Sequence, residues 1–538
     1  MKTLFTNGIF WSAGSPHFSS MLVEDEVIIA IGNQALEEAT DEKVDLQGAF
    51  VMPAFADGHA HPLFAGREML GPQVNGLQSV AEIVDEVRRY ALANLNEKWI
   101  IGGAYEAAII EQGDFDARWL DEAVNDRPVV LHAVDHHTIW VNSIALELSG
   151  ITASTKNPDG GTIARRDDGS PKGTLREPTA IGLVTDNAPK RTMKNEVQAL
   201  VLACDALLKV GITSAVDAWI EPGMAEVYIE AAKTKKLTVD MSLCFLAVAG
   251  QWQESVEYHK ELRKEIEALP KSSNLEAKTI KFLLDGALSS GTAALMEPYL
   301  DDPTTSGLLM WEEDDLLNAL CVFDDLDFQV HLHAIGDAAV RQALDAIEAM
   351  QRVNPRRDRR PVIAHAQLIH PDDVERFRRL GVIANYQPLW TYLDPMNKEL
   401  ILPRLGEKRN NRQYPLRTVV DSGAMISFGS DWPVTTHVPL AALAVPVHRQ
   451  SLDGFPAEGW SKHEAITIEE SMTFYTRNVA FQTFREESLG RLEVGMRADF
   501  VVLDCNPLEV DPHEISSIKI VDLYKAGLRN SNNVNNKN

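Results

Sequence analysis

Cysteine and basic residues are both scarce in this chain, and each scarcity excludes a class of protein. The 538 residues include four cysteines (Cys204, Cys244, Cys321 and Cys505) without the paired spacing of a metal site, so we expect buried, reduced thiols. Lysine and arginine number 51 against 78 acidic residues, which gives a net charge of -27. Such a charge repels polyphosphates and anionic membranes, so we expect neither nucleic acid nor a membrane as a partner.

Long hydrophobic segments are also missing. The apolar runs are of strand length, and the first residues, Met1–Gly8, lack the apolar core of a signal peptide. The sequence therefore predicts a cytoplasmic protein. A hydrophobic content of 45% and a charged content of 24% are ordinary for a globular protein, and the length predicts one large domain with attachments.

Short apolar runs that end in metal-ligating side chains are what the chain has instead. The run Phe50–Ala56 is followed by His59 and His61, which face the same side of an extended strand and can therefore bind one ion. The alternative is a buried histidine pair at a strand end. Another apolar strand, 279–286, carries Lys281. The same plan recurs in Gln329–His333, Val362–His365 and Met425–Asp431.

Strand-like runs alternate with helical segments through the centre of the chain, which predicts an α/β fold, a (β/α)8 barrel of the TIM type. In that fold the carboxyl ends of the strands meet at one face, so histidines and an aspartate that are far apart in sequence are expected to converge. The eight runs are the one before His59, then 212–217, 237–243, 279–286, 329–333, 362–365, 382–387 and 425–431.

The remaining segments predict how the chain divides. Residues 1–50 and 486–529 consist of short strand-like pieces and predict a small β-sandwich domain built from both chain ends. Residues 51–485 would form the barrel, with an insertion at about 67–190 that is too long for one crossover and is expected to cover the barrel mouth. The asparagine-rich tail, 530–538, is expected to be disordered.

The order His-x-His, Lys, His, His, Asp on successive strands resembles the amidohydrolase superfamily. Asp57–His61 and Gly490–Asp499 look like its signature at the two ends of the chain. Other motifs resemble the YtcJ-like branch, which includes the N-substituted formamide deformylases, and the resemblance spans nearly the whole chain. These motifs are His137–Ser143, Gly173–Glu177, Lys281–Gly286, His333–Asp337 and Gly429–Pro433.

The resemblance implies a metal-dependent hydrolase that cleaves a C–N amide bond of a small molecule, an N-substituted formamide. It implies divalent metal, two zinc ions, held by His59, His61, His333 and His365, for which the alternative is buried core histidines. A metal lowers the pKa of bound water to about 7. Asp431 would accept the proton of that water and deliver it to the leaving nitrogen; its alternative role is the N-cap of a following helix.

Two residues compete for a bridging role between the metals. A charged Lys281 is costly to bury, and its ordinary alternative is an ion pair with Asp285. In many relatives a lysine on this strand is carboxylated by carbon dioxide and bridges two metals. Glu177 is the alternative bridging carboxylate, or else part of an ordinary salt bridge. His331, which shares a face with His333 in a regular strand, is a further candidate ligand.

The substrate pocket is predicted to include His137 and Asn142, with Trp140 and Trp432 as aromatic walls, although tryptophan more often packs in a core. Three alternatives stay open: a deaminase that uses one metal, a cyclic-amide hydrolase of the same superfamily, and a non-catalytic scaffold. The expected partner is a small-molecule amide, and homodimer formation is left open.

Overall fold

The computed structural model describes residues 1–134 and 137–530, which divide into two compact units. None of the described helices is long and apolar enough to cross a membrane. The predicted tail, 530–538, lies outside the described residues except for Asn530. The first unit comprises Met1–His61, Asp205–Asp431 and the described part of Thr435–Asn538, and the second comprises Pro62–Cys204 and Trp432–Val434.

Strands and helices are numbered along the chain. The strands are β1 (Lys2–Phe10), β2 (Phe18–Glu24), β3 (Val27–Ile31), β4 (Glu42–Asp45), β5 (Phe50–Pro53), β6 (Phe55–Ala60), β7 (Ile100–Tyr105), β8 (Val129–Ala133), β9 (Thr138–Val141), β10 (Thr162–Arg165), β11 (Pro171–Arg176), β12 (Ile212–Ile220), β13 (Asp240–Ala247), β14 (Leu275–Leu283), β15 (Gln329–Ala334), β16 (Val362–His365), β17 (Ile383–Tyr386), β18 (Met425–Phe428), β19 (Phe500–Leu503), β20 (Ile520–Lys525) and β21 (Leu528–Arg529). The α-helices are α1 (Asn33–Leu36), α2 (Pro62–Met69), α3 (Val80–Ala93), α4 (Ala117–Asp121), α5 (Ser143–Leu148), α6 (Pro178–Thr185), α7 (Met193–Lys209), α8 (Met224–Lys233), α9 (Trp252–Glu267), α10 (Glu313–Asp325), α11 (Asp337–Val353), α12 (Val374–Leu380), α13 (Leu402–Asn410), α14 (Leu416–Asp421), α15 (Pro439–His448), α16 (Ile468–Phe474) and α17 (Arg477–Gln482).

Eight parallel strands of the first unit form the predicted barrel, in the order β18-β17-β16-β15-β14-β13-β12-β6. Each neighbouring pair is hydrogen-bonded in parallel register. The strands are rich in buried apolar residues, as is usual for parallel strands covered on both faces. Each of the eight runs that the sequence marks as a barrel strand contributes one of these strands, so the predicted parallel barrel is confirmed as a nearly closed one.

Side chains and backbone connect β6 with β18, the two ends of this series. The Asp57 carboxylate accepts hydrogen bonds from the backbone N–H and the hydroxyl of Ser430, at 2.9 and 2.5 Å. The N–H of Asp431 donates to His59 O at 2.7 Å. A Cβ at Gly429 would lie 2.5 Å from His59 N, so only glycine fits there. The chain around His59 and the chain around Asp431 are therefore held together.

The sequence suggested that the apolar run Phe50–Ala56 forms one strand, but the structure divides it between two. Its first part is β5, which pairs with β19, and its last part begins β6 of the barrel. The backbone changes partners at Ala54, whose N–H donates to Asp499 O at 3.0 Å, while Phe55 N donates to Gly211 O at 3.0 Å. One continuous apolar run therefore serves two sheets.

The two chain ends pair in one hydrogen-bonded sheet of eight strands. Its order is β21-β20-β19-β5-β1-β2-β3, with β4 also paired to β1. Phe5 packs edge-on against Phe500 and Tyr524, with ring centroids 5.1 Å apart in both pairs. The predicted association of the two ends is thus present, but the two-layer sandwich is not confirmed because these strands belong to one continuous sheet.

The second unit has its own five-stranded sheet, in the order β10-β11-β9-β8-β7. Strands β7 and β8 are parallel, and the other neighbouring pairs are antiparallel. Tyr105, Phe115 and Trp140 are buried in its core, with ring centroids 4.7 to 5.9 Å apart.

Candidate metal centre

Three side chains from the carboxyl ends of barrel strands approach one another closely. His59 lies near the end of β6, His365 is the last residue of β16, and Asp431 follows β18. One ligand atom from each lies within 4.8 Å of the other two, and all three side chains are buried. Among the residues that the structure describes, this is the only group of three or more histidine, cysteine or acidic side chains with such spacing.

Asp431 is surrounded by cationic and imidazole groups. Its Oδ1 lies 2.9 Å from His61 Nε2 and 3.4 Å from His59 Nε2. Burial raises the pKa of Asp431, but the hydrogen bond from His61 and the positive charge of Lys281 hold the net pKa well below its usual range. The carboxyl group is therefore ionised and able to accept a proton or bind a cation.

The predicted alternative for Asp431, an N-cap, is not what the structure shows. The next α-helix, α15, begins at Pro439, and Val438 occupies its N-cap position. Asp431 itself has a positive φ of 57°. Its side chain faces the histidines and not a helix terminus.

Burial favours the neutral form of three imidazoles at this site, His59, His333 and His365. It lowers the pKa of His365 to about 4 and the pKa of His59 and His333 well below the usual value. A neutral imidazole has the free electron pair that a metal ligand needs. Two such imidazoles and a carboxylate form a donor set that zinc accepts. The residues present therefore fit a divalent metal ion.

Lys281 is buried beside this group. Its Nζ lies 3.5 Å from His59 Nε2. Burial lowers the pKa of Lys281 to about 8, although the charges of Asp431, Cys244 and Asp217 oppose that effect. A larger fraction of the amine is therefore neutral near pH 7 than for an exposed lysine.

Asp285, proposed from the sequence as an ion-pair partner of Lys281, has other partners. Burial raises the pKa of Asp285 to about 7. The Oδ1 atom of Asp285 lies 3.6 Å from His333 Nε2. The same His333 nitrogen lies 3.3 Å from Gly286 O. Its two oxygens accept hydrogen bonds of 2.8 to 3.0 Å from the backbone N–H groups of Ala294, Ile335 and Gly336. Asp285 therefore organises the loops after β14 and β15, which corrects the ion-pair alternative.

His331, the further candidate ligand, lies next to His59. Its Nε2 lies 2.9 Å from His59 Nδ1, so one ring donates a hydrogen bond to the other. The ring centroids are 4.9 Å apart. His331 thus contacts a candidate ligand and holds its ring in position.

Two residues beside His365 were missed by sequence reasoning. Gln387 Oε1 lies 2.8 Å from His365 Nδ1, and the Trp390 ring stacks on the imidazole with centroids 5.5 Å apart and an interplanar angle of 7°. Gln387 ends the predicted run 382–387, so extending the rule from metal-ligating side chains to any polar residue at a strand end would have found it. Nothing comparable in the sequence marks Trp390.

Asp217 is a further residue that sequence reasoning missed. It belongs to β12, another barrel strand, and its Oδ1 lies 3.9 Å from His61 Nδ1. The hydroxyl of Tyr228 donates to its Oδ2 at 2.5 Å. The predicted run 212–217 ends at this residue, which was a usable signal.

Asn142 and Trp140, predicted to line a substrate pocket, have structural roles in the second unit. Trp140 is fully buried in the core, and its indole N–H donates to Asp116 O at 3.0 Å. Asn142 is the N-cap of α5 and accepts a hydrogen bond from Ala145 N at 3.0 Å. It also bonds three other backbone groups of the same unit, Val129 N, Val124 O and Arg127 O. Packing and capping therefore replace the predicted pocket role.

His137 and Glu177 pair with each other in the second unit. Their Nδ1 and Oε2 atoms are 3.0 Å apart, and the side chains are 65% and 45% exposed. This is the salt bridge that stood as the ordinary alternative to a bridging role for Glu177. Trp432 is buried and belongs to the second unit.

Comparisons with known proteins identify the family to which this fold belongs. The chain is 28% identical to the putative amidohydrolase YtcJ of Bacillus subtilis, over 97% of both chains. It is 26% identical to the N-substituted formamide deformylase of Arthrobacter pascens, over 90% of this chain and 89% of that one. The crystal structure of an uncharacterized metal-dependent hydrolase from Pyrococcus furiosus superposes with a TM-score of 0.75 at 27% identity, covering 95% of this chain and 100% of the other. The model of the amidohydrolase family matches residues 42–529, and the chain belongs to that family.

Proposed function

We propose that this protein hydrolyses the C–N bond of a small amide, an N-substituted formamide, with the aid of bound metal. The observation that carries the proposal is the buried group of His59, His365 and Asp431 at the carboxyl ends of barrel strands. Similarity to the formamide deformylase of Arthrobacter pascens over 90% of the chain supports this choice of substrate class. His61 and His333, whose rings lie 5.4 Å from His59 and 4.5 Å from His365, complete the proposed ligand set.

A divalent metal held by these side chains, which we take to be two zinc ions, would supply a Lewis acid that acidifies water and polarises a carbonyl oxygen. Asp431 is the proposed catalytic residue. Its ionised carboxylate accepts the proton of the attacking water as the water oxygen bonds to the carbonyl carbon. It then returns that proton to the nitrogen as the C–N bond breaks, which releases formate and an amine.

His365 and Trp390 give the site an apolar side. The indole stacks on the imidazole, and Trp390 is only partly buried. An aromatic surface next to a candidate ligand suits an apolar substituent on the substrate nitrogen. Trp390 therefore takes the role that the sequence assigned to Trp140.

We further propose that Lys281 is carboxylated and bridges the two metals. Its neutral amine would attack the carbon of carbon dioxide, so that an N–C bond forms, one C–O π bond opens and one proton is released. The neutral amine would thereby become an anionic carbamate whose oxygens could bind metal. The lowered pKa of Lys281 and its position 3.5 Å from His59 support this step. Lys281→Ala should be partly rescued by short carboxylic acids. A crystallographic map with a bare amine between two metals would contradict the bridging role.

A deaminase that uses one metal is the second candidate. It is favoured by the single group of three donor side chains found among the described residues, which accommodates one ion. In that version no second ion is bound, and His365 assists the reaction beside the single ion. Metal analysis of the purified protein separates the two versions, with about two equivalents expected for the first and one for the second.

The test of substrate class is a steady-state comparison with metal-loaded enzyme. The panel contains N-benzyl- and N-alkylformamides, the matching acetamides, cyclic imides and aminopurines, with formate, amine and ammonia measured separately. We expect formate and amine from the formamides. Efficient release of ammonia from an aminopurine with no formamide cleaved would replace the amide hydrolase by the deaminase.

A further inference from the structure

A chain of buried side-chain amides runs from the backbone of Gly58 to His365. Gln482 Nε2 lies 2.8 Å from Gly58 O, and Gln482 Oε1 lies 3.3 Å from Asn385 Nδ2. Asn385 Oδ1 lies 3.2 Å from Gln387 Nε2, and Gln387 Oε1 lies 2.8 Å from His365 Nδ1. The four side chains of this hydrogen-bonded series, Gln482, Asn385, Gln387 and His365, are each at most 3% exposed, so water cannot replace a missing partner.

The first contact fixes the direction of all the others. A backbone carbonyl oxygen only accepts hydrogen bonds, so Gln482 must turn its NH₂ group to Gly58. Its oxygen then faces Asn385, which must turn its own NH₂ group to that oxygen. Asn385 therefore presents its oxygen to Gln387, and Gln387 presents its NH₂ group in return. The oxygen of Gln387 is left facing His365 Nδ1.

Ser427 and Gly58 hold this direction in place. The Ser427 hydroxyl donates to Gln482 Oε1 at 2.5 Å and accepts from Asn385 Nδ2 at 2.9 Å. Because it has one hydrogen, it cannot donate to two amide oxygens, so it disfavours the reversal of either amide alone, and the Gly58 carbonyl excludes the reversal of both. A Cβ at Gly58 would lie 2.7 Å from Asn385 Nδ2, which makes glycine a requirement for the close approach. Reversing one amide would set two oxygens or two NH₂ groups against each other in a dry interior, at a cost of about 1–3 kcal/mol for each unsatisfied group.

We infer that Gln387, oriented by Asn385 and Gln482, is a positioning residue that fixes His365 as the tautomer with its hydrogen on Nδ1. The electron pair of this imidazole is then on Nε2, which is the atom left for a metal or for a proton in the reaction. Groups that bond the far nitrogen of a metal-ligating histidine commonly set its tautomer and orientation, and their loss typically weakens metal binding by about 10- to 100-fold.

The direct test is the ¹⁵N spectrum of the histidine rings in the full-length, metal-free protein at pH 8, with the resonances of His365 identified from their absence in His365→Ala. We expect a hydrogen-bearing Nδ1 and a bare Nε2. This measurement needs neither metal nor substrate, so its result is independent of the proposed amide hydrolysis. A spectrum with the hydrogen on Nε2, or shared between the two nitrogens, would overturn the inference.

Two variants then test the role of Gln387. Gln387→Leu removes the acceptor, so the Nδ1–H signature should disappear and the affinity for Zn²⁺, measured against a competing chelator, should fall by about 10- to 100-fold. Gln387→Glu keeps an oxygen facing His365 Nδ1 and should keep the signature. Its second oxygen replaces the NH₂ group that faces Asn385 Oδ1, so the melting temperature should fall.

Gln342→Leu is the matched control, because Gln342 is also a buried glutamine and its Nε2 donates to Trp311 O at 2.8 Å in another part of the barrel unit. It should lower the melting temperature without changing either the tautomer of His365 or the Zn²⁺ affinity. If Gln387→Leu behaves in the same way as this control, Gln387 has a packing role only and the inference fails.

Discussion

Asp431 in the barrel and Asn142 in the second unit both follow an apolar strand and are both buried, yet they face different partners. Asn142 bonds four backbone groups and caps a helix. Asp431 faces two imidazoles, at 2.9 and 3.4 Å. A polar side chain whose partners are all backbone groups stabilises the fold. A polar side chain whose partners are other ionisable side chains can take part in a reaction, because such groups exchange protons or bind a cation.

The largest effect is expected from the loss of His365. His365→Ala removes one of the three donor side chains, so bound zinc should be lost and activity should fall to background. Metal analysis of the purified variant and a substrate assay check this result. His259→Ala, which removes another buried histidine stacked on Phe245, serves as the control and should retain metal. Full metal occupancy and activity in His365→Ala would exclude the residue from the site.

Trp140→Ala probes the other side of the comparison. The change removes a fully buried indole from the core of the second unit and should destabilise the protein by about 3–5 kcal/mol. Metal content and the KM of the folded fraction should not change, because this residue packs against Phe115 and Tyr105. Urea unfolding and metal analysis measure the two effects. A normal stability with a raised KM would restore the predicted pocket role.

Asp431→Asn separates binding from proton transfer. The amide keeps the shape of the side chain but cannot accept a proton, so turnover should fall by at least about a hundredfold. The melting temperature should change little and most of the metal should remain. Metal analysis and kcat are measured on the same preparation. Near-normal turnover would show that the positioning of Asp431, and not its basicity, is what matters.

Asn142→Ala should have the smallest effect. Loss of the N-cap and of its other backbone hydrogen bonds should cost about 1–2 kcal/mol of stability. We expect a lower melting temperature with an unchanged kcat and KM. Asn142→Asp, which keeps an oxygen for the helix N-terminus, should recover part of the loss. An altered KM at full stability would place Asn142 in substrate binding after all.

The barrel and its strand ends were predictable because both follow from short-range rules. Each strand is a run of apolar residues, and the parallel fold brings the ends of those runs to one face. His59, His365 and Asp431 could therefore be found from position alone. Gln387 and Asp217 also end predicted strands. Glutamine is not a usual zinc ligand, but Asp217 has the same side chain as Asp431 and could have been found in the same way.

Other features depend on contacts that no sequence pattern shows. The split of Phe50–Ala56 between two sheets results from the partners available at Ala54, and the pairing of the chain ends in one sheet results from β5 and β19 meeting across hundreds of residues. The aromatic side chain of Trp140 suggested a pocket wall, but the residue is fully buried in the core of the second unit. Its partners, and not its type, decide between those roles.

The most direct test of the account is anomalous diffraction at the zinc absorption edge from crystals of the zinc-loaded protein. The account predicts two zinc peaks, with an imidazole nitrogen of His59, an imidazole nitrogen of His365 and a carboxylate oxygen of Asp431 each about 2.0–2.2 Å from one of them. A zinc ion bound elsewhere, with these three side chains uncoordinated, would contradict it.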